Sequence, residues 1–477
     1  MKHLLIGNGI NIQFGGRAYT SEFIMKRIKY RTRLGIYEEL FGKSITREEL
    51  ESFFQAFKEE GNALLHGEYD RYVNDPEVVE AIEEFKKRYK RDFNQPHEIM
   101  LEDWFLLFQV FYMKHKDLLE EQGLAKVGFQ RVVLDAIYNE GRIESIFSGL
   151  TKQKKKALKR FFSGYDTIFT LNYDSNVDHL LSQTVYHLHG SFSVLTESEN
   201  PEYAMGYVRN AEGSTVYTEE MRHCFCNALL DYSGKQKQQK LESNEKLIRE
   251  VESYPTRYYK DAVLRYQINK LKDTKPLEYK TIMAKIEHPE LKIATDYHYA
   301  DFRNIEGELH IIGMSPNNDS HIIDAIRNNP NLNRIVFYYK SEEDKEMANR
   351  VLGKSVVNQK VEDLWKELDL QNPKYNTNMD ISMQLGKLHE IFNALSDDDI
   401  SAEKINEEVN KIPEYETKRL CKLVKEDMDK RNPNHISTDE QGLKEQLASI
   451  SHIALSEGIY PSVLYVLCVM NFDKYMK

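Results

Sequence analysis

Short apolar runs that end at glycine or polar turns recur at wide intervals along this 477-residue chain. The first run, Leu4 to Ile6, leads directly into Gly7-Asn8-Gly9, and later runs cover residues 167–170, 184–188, 309–312 and 334–339. Each run has the length of a short strand, and the stretches between them carry apolar residues at helical spacing. Strands that alternate with helices predict an α/β fold whose sheet is mostly parallel.

Two long segments without the strand pattern interrupt this alternation. Residues 21–163 show helical spacing and contain a capping box, in which Thr46 accepts from the backbone amide of Glu49. Residues 195–300 are polar, charged and partly helical. We interpret both segments as insertions into a domain over 1–370. A polar linker near 371–377 then leads to a helical C-terminal domain over 375–477.

Composition narrows the classes of function. Lys and Arg number 65 against 76 Asp and Glu, and the net charge of -11 argues against a dedicated nucleic-acid binder. No apolar run reaches the roughly 20 residues that span a bilayer, and the N-terminus lacks a signal-peptide core. Four cysteines in so long a chain form no disulfide framework. We therefore expect a cytoplasmic protein with reduced thiols that binds neither membranes nor nucleic acid.

The first loop, Gly7-Asn8-Gly9-Ile10-Asn11-Ile12, has two interpretations. Ile12 stands where a dehydrogenase fingerprint needs its third glycine, so a hydride-transferring domain is disfavoured. A turn that cradles phosphate remains open, because Gly7 and Gly9 let backbone amides approach a diphosphate. A plain strand-to-helix turn fits these residues equally well.

Two further loops carry side chains suited to chemistry. Asn172 and Asp174 follow a strand and suit ribose hydroxyls or a positioned water, although capping of the next helix explains them too. His187 and His189 alternate along the following strand. A histidine beside glycine at a strand end is a candidate general base, because its pKa lies near neutrality. One of the two histidines could instead be an ordinary core residue.

The loops of the chain also offer ligands for a metal and a serine in a glycine-containing turn. A metal bound to the two histidines needs a third ligand, and only His223-Cys224-Phe225-Cys226 offers one, without the Cys-x-x-Cys spacing of a zinc ribbon. We therefore predict no metal centre. Gly313-Met314-Ser315 begins like a nucleophile elbow but lacks the closing glycine. A turn beside a nucleotide is the better interpretation of that loop.

The order of these motifs along the chain resembles the NAD-binding core of the sirtuins. The motifs are Gly7-Asn8-Gly9-Ile10-Asn11, Thr170-Leu171-Asn172-Tyr173-Asp174, Leu188-His189-Gly190-Ser191 and Gly313-Met314-Ser315. The chain looks most like the bacterial sirtuin-like and AbiH-like proteins of anti-phage and abortive-infection systems. The resemblance covers roughly residues 1–20, 164–194 and 305–365. It implies a Rossmann-like, sirtuin-like NAD-binding core with large helical insertions and a C-terminal helical domain.

The resemblance also implies roles for single residues. His189 matches the catalytic histidine of the family, and Asn172 and Asp174 match its Asn and Asp around the nicotinamide ribose. The other residues that would bind NAD are Gly7, Asn8, Gly9, Ile10, Asn11, Gly15, Tyr19, Thr170, Gly313 and Ser315.

Departures from the family pattern disfavour protein deacylation. Leu171 stands where deacylating sirtuins have Gln, and Thr20 stands where their cofactor loop has Arg. The four-cysteine zinc ribbon is missing from the sequence. These changes fit a branch of the family that hydrolyses NAD outright.

The resemblance thus implies an NAD+ glycohydrolase that releases nicotinamide and ADP-ribose. Cleavage of this bond passes through an oxocarbenium-like state with a good leaving group, so the site needs ribose positioning and one base. Asn172 would orient the ribose and water, and His189 would take the proton. We expect a regulated effector of abortive infection that is restrained by homo-oligomerisation, by a sensor protein partner, or by both. The alternatives are an NAD or ADP-ribose sensor without turnover and a sirtuin-type deacylase.

Overall fold

The computed structural model describes residues 1–40, 46–118, 122–195, 219–230, 234–291, 295–316, 319–353, 356–371, 400–431 and 440–476. All but the first residue of the predicted linker at 371–377 lies outside these ranges.

Six strands form the sheet. They are β1 (Lys2–Ile6), β2 (Thr167–Thr170), β3 (Val185–His187), β4 (Gly307–Ile312), β5 (Leu332–Tyr339) and β6 (Val356–Lys360). Their order is β3-β2-β1-β4-β5-β6, and every neighbouring pair is parallel. The predicted α/β fold with a mostly parallel sheet is therefore confirmed, and this strand order is compatible with a Rossmann-like fold.

The central strand explains why the first apolar run is continuous. Leu4, Leu5 and Ile6 are fully buried, and β1 pairs with β2 on one side and with β4 on the other. Parallel strands with both faces covered carry unbroken apolar runs rather than alternating ones. From β1 the chain proceeds outwards to β2 and β3, whereas β4 returns to the other side of β1. The strand order therefore reverses between β1 and β4.

The helices occupy the segments between and after the strands. Those before β4 are α1 (Gly9–Gly15), α2 (Ser21–Arg33), α3 (Ile36–Leu40), α4 (Arg47–Leu65), α5 (Pro76–Arg88), α6 (Leu101–Lys114), α7 (Gln122–Tyr138), α8 (Lys152–Phe162), α9 (Asn176–Leu180), α10 (Gly234–Arg257), α11 (Ala262–Thr274), α12 (Pro276–Glu287) and α13 (Tyr299–Arg303). Those after β4 are α14 (Ser320–Arg327), α15 (Glu342–Leu352), α16 (Val361–Glu367), α17 (Ala402–Lys411), α18 (Glu414–Arg431), α19 (Glu440–Glu457) and α20 (Pro461–Met470).

The segment between β1 and β2 has an aromatic core of its own. The predicted capping box starts α4, where Thr46 Oγ1 accepts from the Glu49 amide and Glu49 Oε2 accepts from the Thr46 amide. Phe57 of this helix stacks on Trp104 of α6, and Phe129 of α7 packs against the same indole. Burial of such rings provides most of the driving force for packing helices together.

The chain divides into two compact units, and the division differs from the sequence prediction at one place. One unit comprises residues 1–10 and 32–370, and the other comprises 11–31 and 371–477. Residues 11–31 therefore group with the C-terminal helices instead of with the domain over 1–370. Phe23 is fully buried in the core of this second unit, and Arg27 Nη2 donates to the carbonyls of Ala18 and Leu455. The buried ring and the hydrogen bonds explain why this segment joins the second unit.

Across the described residues, no individual helix has both the length and the apolar composition needed to cross a bilayer. Two consecutive segments, Gln446–Glu457 and Pro461–Met470, meet that test only together and are bent by 118° where they join.

Candidate functional site

Loops with polar side chains or glycines follow four neighbouring strands. In the order β3-β2-β1-β4, these strands end at His187, Thr170, Ile6 and Ile312. The carboxyl ends of parallel strands lie at the same edge of a sheet, which is where α/β proteins bind their ligands. The loops therefore place the following predicted site residues along one edge of the first unit: His189, Thr170, Asn172, Asp174, Gly7, Asn8, Gly9, Ile10, Gly313 and Ser315.

The glycines of the first loop pack directly against the loop after β4. A Cβ atom on Gly9 would lie 2.6 Å from Gly313 Cα, and one on Gly7 would lie 2.6 Å from Gly313 O. Gly313 has a φ of +72°, which favours glycine. The strand-to-helix turn is thus sufficient to explain these three glycines.

The backbone amides of the same loop already have partners within the protein. Gly7 N donates to Ile312 O over 2.9 Å, Gly9 N to Gly313 O over 2.7 Å, and Ile10 N to Gly7 O over 3.2 Å. The sequence prediction placed these amides on a diphosphate of NAD. A diphosphate at this loop would therefore have to bind through groups other than these three amides.

Asn172 is held at the end of β2 by backbone contacts. Its amide donates to Thr170 Oγ1 over 3.0 Å, and His187 Nδ1 lies 3.0 Å from its carbonyl oxygen. The other nitrogen of His187 lies 3.2 Å from Asp178 Oδ2. Burial lowers the pKa of His187, but the hydrogen bond and charge of Asp178 outweigh burial and raise it. His187 is therefore the histidine with a structural role.

Asp174 forms an Asx turn just before the short helix α9, whose N-cap residue is Ser175. Its Oδ1 accepts from the backbone amide of Asn176 over 3.2 Å and from Asn176 Nδ2 over 2.5 Å. Asp174 is also buried, with 4% of its surface exposed. Of the two interpretations that the sequence left open, these contacts favour local hydrogen bonding at the start of the helix over binding to a ribose.

His189 meets a second histidine that the sequence analysis did not identify. Its Nε2 lies 3.0 Å from Nε2 of His321, near the start of α14, and 3.8 Å from Asp319 Oδ1. Both imidazoles are buried. The backbone around His189 is fixed as well, because Leu229 N donates to His189 O over 2.8 Å. Gly190 follows with a φ of +80°, and a Cβ there would lie 2.1 Å from Asn227 O.

The surroundings of His321 indicate which imidazole donates. His321 Nδ1 is buried and has no hydrogen-bond partner among the described residues. A buried N–H without a partner costs more free energy than a bare acceptor nitrogen in most settings. We therefore assign the proton of His321 to Nε2, which donates to Nε2 of His189. His189 then carries its own proton on Nδ1.

Burial and one lysine keep both imidazoles neutral. Burial holds the pKa of His189 well below its ordinary value, and the positive charge of Lys237 lowers it further, as would any protonation of His321. Burial and Lys237 act on the pKa of His321 in the same direction. Lys237 is itself buried near the start of α10. The site therefore presents neutral histidine, which is the form that can accept a proton.

The ligand atoms of His189, Asp319 and His321 lie within 4.8 Å of one another, as they would around a metal ion. Two histidines and one carboxylate form a known ligand set for divalent metals. The nearby ammonium of Lys237 opposes a dication at this place, because like charges repel strongly when buried. The third ligand considered in the sequence analysis is elsewhere, since His223 and Cys224 group with Asp135.

The remaining predicted residues are distributed over both units. Asn8 and Ser315 are exposed and Ile10 is buried in the first unit. Asn11, Gly15 and Tyr19 belong to the second unit, and both Asn11 and Tyr19 are buried there. The sequence prediction assigned all of these residues to one NAD site within one domain.

Sequence reasoning missed three residues around His189. They are Asp319 and His321 after β4, and Lys237 in the second insertion. A signal was present for the first two, because they follow the strand beside β1 at which the strand order reverses. Lys237 gave no signal, since a lysine in a charged helical segment is usually solvated.

Comparison of the chain with family models, curated proteins and solved structures finds no match.

Proposed function

We propose that this chain hydrolyses NAD+ to nicotinamide and ADP-ribose at the carboxyl edge of its parallel sheet. The observation that carries the proposal is the position of Asn172 and of neutral, buried His189 directly after the adjacent strands β2 and β3. The strand order supports it, because nucleotides bind beside the point where such an order reverses. The resemblance of the loop sequences to the sirtuin core supports NAD+ as the nucleotide.

The reaction needs little acid–base chemistry. The bond between C1′ of the ribose and the pyridinium nitrogen breaks, and its electron pair neutralises the ring of the departing nicotinamide. Water then forms the new bond at C1′, and His189 accepts the proton that the water loses. Asn172 holds the ribose and the water in line. The products are nicotinamide, ADP-ribose and one proton, so atoms and charge balance.

His321 places a condition on this mechanism. Under the tautomers assigned above, the Nε2 lone pair of His189 is occupied by the N–H of His321. Water must take the place of that N–H before His189 can act as a base through Nε2. This arrangement agrees with an activity that is restrained at rest, as an enzyme that depletes NAD+ inside its own cell has to be.

The test is to incubate the purified full-length chain with NAD+ and to quantify nicotinamide and ADP-ribose by chromatography. His189→Ala and Asn172→Ala should each lower the rate by at least about 100-fold, the usual loss when a base or a positioning group is removed. His288→Ala is the matched control, because the side chain of His288 is 57% exposed beside Glu290. Its rate should equal that of the unchanged chain.

Other outcomes identify the alternatives. Binding of NAD+ without nicotinamide release would favour a sensor, and nicotinamide release only with an acyl-lysine peptide would favour a deacylase. Failure to bind NAD+ would refute the proposal. Light scattering after size exclusion, with and without NAD+, tests the proposed restraint by self-association.

A further inference from the structure

A second cluster of ligand-type side chains lies apart from the residues proposed for NAD+. It consists of Asp135 in α7 and of His223 and Cys224 at the end of the 3₁₀ helix Glu219–Cys224. His223 Nε2 lies 2.9 Å from Asp135 Oδ1, and the ligand atoms of all three residues lie within 4.8 Å of one another. All three residues are buried. The cluster therefore places a carboxylate, an imidazole and a thiol around one point.

The local backbone does not produce this convergence by default. Successive side chains of a 3₁₀ helix point about 120° apart, because the helix has about three residues per turn. His223 and Cys224 are consecutive, yet both have a ligand atom near the same carboxylate of α7. An ion pair with Asp135 would need only His223, and the position of Cys224 beside the same carboxylate is not explained by it. Cys224 is therefore the residue that indicates a shared ligand.

The spacing suits a tetrahedral divalent ion. Bonds of about 2.0 Å to nitrogen or oxygen and 2.3 Å to sulfur separate tetrahedral ligand atoms by roughly 3.3 to 3.6 Å. The observed separations, from 2.9 Å to at most 4.8 Å, reach those values by shifts of about 0.4 to 1.2 Å. Rotation of the Asp135 and Cys224 side chains provides movements of this size.

The ligand chemistry and the surroundings select the ion. Carboxylate, imidazole and thiolate together are ligands of zinc, whereas magnesium and calcium prefer oxygen alone. Cys224 Sγ is now 3.6 Å from the carbonyl oxygen of Arg131, a weak contact that a metal bond would replace. Tyr138 stacks on His223 with ring centroids 4.1 Å apart and planes inclined by 10°, which fixes the plane of the imidazole. Such support orients ligands in metal sites.

We propose that Asp135, His223 and Cys224 bind one zinc-type divalent cation, with the fourth position open to water. The ion joins α7 to the segment that continues through Cys226 to Asn227. Asn227 Oδ1 accepts from the amide of Ser191 over 2.8 Å, close to His189 in sequence. The cation therefore stabilises the segment that packs against the loop after β3, which contains His189. It binds whether or not the chain hydrolyses NAD+.

The experiment uses the full-length chain, stripped with a chelator and titrated with Co²⁺ and then with Zn²⁺. Cobalt bound to a thiolate gives an intense near-ultraviolet charge-transfer band, and a tetrahedral site gives visible bands as well. We expect the charge-transfer band and the visible bands to appear with one equivalent of Co²⁺. Both should disappear when Zn²⁺ displaces the cobalt. Zn²⁺ should also raise the melting temperature of the unchanged chain.

Variants identify the ligands. Cys224→Ser should lose the charge-transfer band, whereas Cys226→Ser, the matched control at a neighbouring buried thiol, should keep it. His321→Ala should keep it too, which separates this site from the histidine pair at His189. Absence of the band in the unchanged chain overturns the proposal, and this result does not depend on any variant folding. A band that survives in Cys224→Ser, or one lost only in Cys226→Ser, overturns it equally.

Discussion

The crossing of the first loop and the loop after β4 gives a prediction that separates structure from ligand binding. Gly9→Ala would place a Cβ atom 2.6 Å from Gly313 Cα, about 1 Å closer than carbon atoms pack in proteins. Both contacting atoms belong to the backbone, so neither can rotate away. Relief requires the two loops to separate, which weakens the hydrogen bonds from Gly9 to Gly313 and from Gly7 to Ile312.

The loss of unfolding free energy is the sum of the steric clash and the weakened hydrogen bonds. Overpacking in a tight interior costs about 1–3 kcal/mol, and each weakened hydrogen bond costs up to about 1 kcal/mol. We expect Gly9→Ala to lower the free energy of unfolding by about 3 kcal/mol. With a urea dependence near 3 kcal/mol per molar, the midpoint would fall by about 1 M.

Two other glycines serve as controls. Gly149→Ala adds a Cβ with no atom within 4 Å, and its effect should stay within about 0.5 kcal/mol. Gly353→Ala also meets open space, but φ is +95° and ψ is 170° there, so backbone strain alone should cost about 1–3 kcal/mol. The series therefore distinguishes a steric clash from strain and from the mere addition of a methyl group.

Urea titration followed by tryptophan fluorescence is the appropriate assay. The two tryptophans, Trp104 and Trp365, are both buried and both belong to the first unit. NAD+ binding is measured on the same samples. If Gly9→Ala were as stable as Gly149→Ala but had lost NAD+ binding, the glycine would serve the ligand and our packing argument would be refuted.

Three further predictions concern buried charges. Because folding raises the pKa of His187, its contribution to stability is fully present below about pH 6.5 and is lost as the pH rises through the folded value. Asp178→Asn should therefore flatten the dependence of unfolding free energy on pH above that point, as measured by urea titrations. Lys285 Nζ is buried and donates to Glu252 and to the carbonyls of Pro289 and Leu291. Lys285→Met should therefore lower the free energy of unfolding by about 2–4 kcal/mol. Lys280 is exposed, and Lys280→Met, the control, should lower it by less than about 0.5 kcal/mol. Lys237→Met removes a positive charge that lowers the pKa of His189, so that pKa should rise and the acid limb of the nicotinamide-release profile should move to higher pH.

The candidate site was only partly predictable from the sequence. Strand ends followed by Gly7, Asn172 and His189 were visible, because apolar runs and polar turns are local patterns. Their common edge followed from the parallel topology alone. The partner of His189 was not visible, since His321 is 132 residues away and approaches it only through the folded sheet.

Single loops also allowed more than one interpretation until their contacts were known. Asp174 suited either a ribose or local bonding at the start of the next helix, and its bonds to Asn176 favour the local turn. His187 and His189 looked alike in sequence, yet one contacts a carboxylate and the other a second imidazole. Residue type limits what a side chain can do, whereas its neighbours decide its protonation and its role.

The sequence by itself determined the α/β class, the run of buried residues in β1 and the helical character of the long segments, because local polarity and spacing control which backbone conformation buries apolar surface. Tertiary structure alone decided that residues 11–31 join the C-terminal unit and that Asp135 meets His223 and Cys224. Arg27 and the Leu455 carbonyl that it contacts are 428 residues apart. Such pairings depend on how complete elements pack, and no local pattern carries that information.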